Sequence, residues 1–162
     1  MRAGDVLVGL PSTGLHTNGF TLARKVLFAH FDVDDAPEEL GGHTVGEELL
    51  RVHRSYLHAI QALVAEDLAH GFAHVTGGGI RDNTARVVPD GLDFEVDYGA
   101  WERPPVFDLI QRLGDVPEDD MRRTFNLGIG LVAVVPEDGL DAALAVLENR
   151  EEAPVVVGRV RG

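Results

Sequence analysis

The chain has 162 residues, 44% hydrophobic and 25% charged, the proportions of one soluble globular domain long enough to bury a core. Fourteen Lys and Arg against 27 Asp and Glu give a formal charge of −13, which argues against a phosphate-backbone binder, so nucleic acid is not an expected partner. The absence of cysteine removes disulfides, thiolate metal sites and cysteine nucleophiles, and with no long apolar run and no signal-peptide core after Met1 the expectation is a cytoplasmic protein without a membrane partner.

Asp5 to Leu10 is a short apolar run closed by Pro11, Ser12, Thr13 and Gly14, which predicts a buried strand entering a turn. Helical spacing then runs from Asn18, a suitable cap, to Phe31. The acidic stretch 32–42, with Pro37, Gly41 and Gly42, reads as a solvated loop; it lacks the glycine and terminal glutamate of a calcium loop. Thr44 and Glu47 have capping-box spacing and lead a short helix through Leu49, Leu50 and Val52. Ser55 is placed to cap the next helix, whose stripe is Leu57, Ile60, Leu63, Val64 and Leu68, ending at Gly71.

Phe72 to Thr76 predicts a strand cut off by three glycines, followed by a helix from Ile80 to Val88. Residues 92–97 alternate apolar and charged, as a strand with one wet face does. Pro104 and Pro105 open a helix that Gly114 stops, and Pro117 to Phe125 forms another. Leu127 to Val135, rich in β-branched residues and glycine, predicts a strand crossing the middle of the sheet. A helix over 141–149 and a strand over 154–160 complete the chain. This order predicts a single α+β domain, 1–162, built as a layered sandwich with a mixed sheet and ferredoxin-like character.

Three turns join glycine to small hydrogen-bonding side chains: Ser12 to Gly19, His74 to Gly79, and Thr124 to Gly130. Glycine lets backbone N–H groups approach an anion, and the hydroxyls of Ser12, Thr13 and Thr76 would complete a phosphate nest. No Walker or dinucleotide glycine signature is present. His16 and His74 lie on these turns, where an imidazole can reach a ligand and titrate near neutral pH; the other reading of each is a buried turn hydrogen bond. His53 and His58 do not share a helix face, and Gly71 separates His70 from His74, so the spacing predicts no histidine metal pair and no metal ligand.

Residues 4–20, His74 to Gly79 and Arg123 to Gly130 together resemble phosphoribosylformylglycinamidine cyclo-ligases, also called aminoimidazole ribonucleotide synthetases. The resemblance covers nearly the whole chain, takes in Trp101, Pro104, Pro105 and Phe107, and is to the family's C-terminal domain. It implies ATP-dependent closure of formylglycinamidine ribonucleotide to aminoimidazole ribonucleotide in purine biosynthesis. ATP and Mg2+ would be held mainly by an N-terminal domain lying outside these residues, so the isolated chain is expected to be inactive.

By the same resemblance, Ser12, Thr13, Gly14 and Asn18 from the first turn face the cleft with Thr76, Gly77, Gly78, Gly79 and Asn83 from the second. They would hold substrate or nucleotide phosphates, with Asn126 added from the third turn. Proton transfer or polar orientation falls to His74 or His16. Full-length members form homodimers largely through the other domain, so apolar surface is expected to be exposed here. The alternative is a non-catalytic ligand-binding or assembly module of the same superfamily, which includes formylglycinamidine ribonucleotide synthetase, selenophosphate synthetase and thiamine monophosphate kinase groups.

Overall fold

The computed structural model describes residues 1–162. Five strands, β1 (Val6–Pro11), β2 (Gly71–His74), β3 (Asp93–Val96), β4 (Ile129–Val135) and β5 (Val155–Arg161), form one sheet in the order β2-β4-β1-β5-β3. The α+β architecture is as expected. The sheet, however, is antiparallel at every pairing rather than mixed. Two pairs of strands joined through helices do run in the same direction with one other strand between them: β1 fills the gap between β4 and β5, and β4 that between β1 and β2. This is the split crossover of a ferredoxin-like fold. The centre of the sheet is accordingly β1, with the fully buried β4 beside it.

Seven α-helices pack around the sheet: α1 (Phe20–Leu27), α2 (Val45–Leu49), α3 (Leu57–Ala65), α4 (Gly79–Ala85), α5 (Pro105–Gly114), α6 (Glu118–Thr124) and α7 (Leu140–Glu148). Side-chain alternation divides the core. Val6, Val8, Leu10, Leu131, Ala133 and Val135 face α3 and α7, whereas Leu7, Val132, Val134 and Val157 face the layer holding Ile80 of α4. A third cluster joins α1, α5 and α6 through Leu27, Phe107, Ile110, Met121 and Phe125.

Several predicted boundaries shift for identifiable reasons. The Thr44–Glu47 capping box forms, but α2 ends at Leu49 and leaves Leu50 and Val52 more than four-fifths exposed. The buried face of α3 is Tyr56, Ala59, Ala62 and Leu63 rather than the stripe through Leu57 and Val64. The small alanines allow close approach, and the Tyr56 hydroxyl donates to the Pro11 carbonyl at 2.8 Å, which fixes the helix's rotation. Gly71 begins β2 instead of ending this helix. Helix α1 is capped by Gly19 in a left-handed conformation, so Asn18 is not the cap. In the acidic stretch a 3-10 turn, Glu38–Leu40, buries Leu40 while its neighbours remain largely exposed.

Candidate functional site

The three glycine-rich turns meet at one end of the β1–β4 pair. At the join the register slips: Leu10 opposes Leu131 and Pro11 opposes Ile129, so Gly130 is an extra residue on β4. A Cβ at Gly130 would lie 2.1 Å from the Tyr56 hydroxyl and 2.7 Å from His16 Cε1. Glycine in this bulge therefore makes the space that the Tyr56 hydroxyl and the His16 ring occupy.

Asn126 ties the first turn to the third. Its Nδ2 donates to the Gly14 carbonyl at 2.8 Å, and its Oδ1 accepts from the Ser12 hydroxyl at 2.9 Å and the Gly128 N–H at 2.8 Å. The Ser12 N–H also donates to the Gly128 carbonyl. Gly128 in turn is packed against Pro104 and Trp101, whose Nε1 donates to the Leu127 carbonyl at 2.9 Å, so residues 101–105 brace the third turn.

Asn83 performs the matching task in the second turn. Its Nδ2 faces the carbonyls of Thr76, Gly77 and Gly79, the last at 2.7 Å, and its Oδ1 accepts from the Thr76 hydroxyl at 3.1 Å. The N–H groups of Gly78 and Gly79 donate to Arg123 and Thr76 carbonyls, which uses two of the three glycine donors inside the protein. Gly77 is the exposed one of the three, and Asn18 Oδ1 lies 3.8 Å from where a Gly77 Cβ would be, so the first and second turns face each other there.

His16 is buried, with a left-handed backbone at φ 58°. Its Nε2 accepts from the Thr13 N–H at 3.1 Å, while Nδ1 is buried without a partner. Burial, reinforced by His53, His74 and Arg54, holds its pKa down at about 4. The expectation that His16 titrates near neutral pH is thus corrected: it is the neutral, turn-bonded histidine of the other reading. His74 is exposed at the end of β2. Its Nε2 lies 3.3 Å from Nε2 of His53, whose pKa is lowered by burial and by His74, and His53 stacks on His16 with ring centres 4.0 Å apart. Burial also pushes the Tyr56 hydroxyl up.

The sequence reading missed His53 and Tyr56 as members of this site. His16, His53 and His74 lie on three separate segments, so no local spacing signals their meeting. The turns provide hydroxyls, amides and imidazoles. The carboxylate beside the first turn, Glu48, is buried against Arg51 at 2.6 Å. The hydroxyls of Ser12, Thr13 and Thr76 donate within the protein, to Asn126, the Val52 carbonyl and Asn83, so they do not complete the expected phosphate nest as donors. The exposed Gly77 and His74 are left to face a polar ligand, and this set does not fit Mg2+, which demands free carboxylate or phosphate oxygens.

Residues 2–162 match the family described as AIR synthase related protein, C-terminal domain. The chain is 48% identical to the phosphoribosylformylglycinamidine cyclo-ligase of Symbiobacterium thermophilum, over 97% of this chain and 46% of that protein. It is also 48% identical to that of Sorangium cellulosum, over 99% and 47%. The chain spans about half the length of the curated relatives it matches. Among solved structures, the hydrogenase maturation protein HypE of E. coli shares the fold with a TM-score of 0.60 at 20% identity, over 99% of this chain and 44% of that one. A T. maritima PurL solved with FGAR aligns with a TM-score of 0.52 at 18% identity, over 99% and 24%. From the first strand to the last, this chain belongs to the AIR synthase related family and corresponds to its C-terminal domain.

Proposed function

We propose that this chain forms the C-terminal part of an ATP-dependent cyclo-ligase that converts formylglycinamidine ribonucleotide to aminoimidazole ribonucleotide. The carrying observation is the identity of 40–48% along the whole chain to relatives named as cyclo-ligases, with the three turns gathered at one end of the sheet. In this reaction ATP supplies the phosphoryl group that makes the formyl oxygen a leaving group. An internal nitrogen attacks the same carbon, and phosphate departs. Holding nitrogen and carbon in one pocket makes the attack intramolecular, so positioning carries much of the rate.

In this reading Ser12, Thr13, Gly14, Asn18, Thr76, Gly77 and the rest of the two facing turns hold phosphate and ribose oxygens. Asn83 and Asn126 act one step back, by fixing the turns. His74, the exposed imidazole, receives the proton lost by the attacking nitrogen, and His53 lies within reach to accept it onward. His16 orients the first turn. Mg2+ and most of the ATP contacts fall to residues outside this chain, and full-length assembly is as a homodimer.

Titration calorimetry with aminoimidazole ribonucleotide, and separately with a non-hydrolysable ATP analogue, tests the half-site. Binding that Ser12→Ala or His74→Ala weakens supports it. The decisive assay adds the N-terminal domain of a relative in trans: ring closure must appear with both parts and be absent from this chain alone. Failure to regain activity favours the second reading, a non-catalytic assembly module, for which the exposed Leu50 and Val52 beside the site argue.

A further inference from the structure

Three imidazoles converge beside the first turn, from the β1–α1 connection, the irregular segment before α3 and the end of β2. One ring nitrogen of each of His16, His53 and His74 lies within 4.8 Å of the other two. The His53 and His74 Nε2 atoms, 3.3 Å apart, have the separation of two ligands spanning one edge of a tetrahedron around an ion at about 2.0 Å. They border a groove of about 350 Å3 shared with Tyr56 and Leu131. We infer that His16, His53 and His74 form a binding site for a divalent first-row transition metal of the zinc class.

The donor set selects the ion. Three imidazoles without thiolate or carboxylate suit Zn2+, Co2+ or Ni2+ and not the oxygen-seeking Mg2+ or Ca2+. The ligands must be neutral to bind, so affinity should fall as pH is lowered. Neutral imidazole has one lone pair, and in His16 the Thr13 N–H occupies it. An ion competes for that lone pair, so loading releases the Thr13 amide and turns the His53 ring out of its stack on His16. Because His74 is exposed, a fourth position stays open to water.

This inference concerns binding by the chain itself and does not rest on the cyclo-ligase reading. Zn2+ is titrated calorimetrically into the 162-residue protein at neutral pH, and Co2+ is followed by its visible absorption. The expected result is one ion per chain with the intense bands of four-coordinate Co2+. His53→Ala and His53→Gln should each weaken binding at least about tenfold, the cost of disturbing even an outer partner of a metal-bound histidine. His58→Ala, on an exposed position of α3, should leave binding unchanged. Absence of one-to-one binding, or equal affinity in the His53 variants with far-UV circular dichroism unchanged, overturns the site. The ring-closure assay in trans is read separately from either result, although an ion on His74 would withdraw its lone pair from the proton transfer proposed above.

Discussion

Asn126→Ala removes the side chain that binds two of the three turns together, and its cost can be worked from the partners left behind. Asn126 is 3% exposed and makes three side-chain hydrogen bonds. The Gly128 N–H is buried and loses its acceptor, at about 2 kcal/mol for an unmade buried bond. The Ser12 hydroxyl and the Gly14 carbonyl retain each other at 3.1 Å, so their two lost bonds cost about 1 kcal/mol each. The sum is about 4 kcal/mol. Ser12→Ala leaves both other Asn126 bonds in place and should cost only about 1 kcal/mol. With a urea slope of about 2 kcal/mol/M, the midpoint should fall by about 2 M for Asn126→Ala and about 0.5 M for Ser12→Ala. Urea melts followed by circular dichroism read both. A loss below about 1 kcal/mol for Asn126→Ala, or equal losses in the two variants, refutes the account of Asn126 as the tie between the turns.

Gly79 has φ +66°, and a Cβ there would lie 1.7 Å from the Arg122 carbonyl; Gly79→Ala should cost more than about 3 kcal/mol, against about 1 kcal/mol for Gly91→Ala, which has φ +89° and open space. Thermal melts of the pair give the difference. Gly130→Ala should displace the Tyr56 hydroxyl and the His16 ring together, visible as shifted imidazole resonances of His16 and His53. Because His16 takes up its proton at about 4 in the folded chain and near 6.5 when unfolded, the unfolded state binds more protons between these values. Stability from this residue is therefore complete above about pH 6.5 and is lost as pH falls toward 4, by at most about 3 kcal/mol. Denaturation melts at pH 7 and pH 4.5 should show a smaller loss in His16→Asn than in the parent chain.

Local pattern was enough for much of the fold. The alternating 92–97 segment, the apolar run ending at Val135, the capping box at Thr44 and the proline start of α5 were all legible, because each depends on neighbours within a turn or a strand. So were the three turns and the family. The antiparallel pairing was not, since direction depends on which later strand enters a gap between two earlier ones. Nor was the buried face of α3, where close alanine packing and one tyrosine hydrogen bond outweighed the larger apolar stripe. At the site, the sequence named His16 and His74, but only tertiary structure decided that a bulge at Gly130 admits His16, that burial keeps it neutral, and that His53 joins both. Residues drawn from three separate segments have no shared period; their meeting, and the shift in protonation that follows, belong to the folded chain alone.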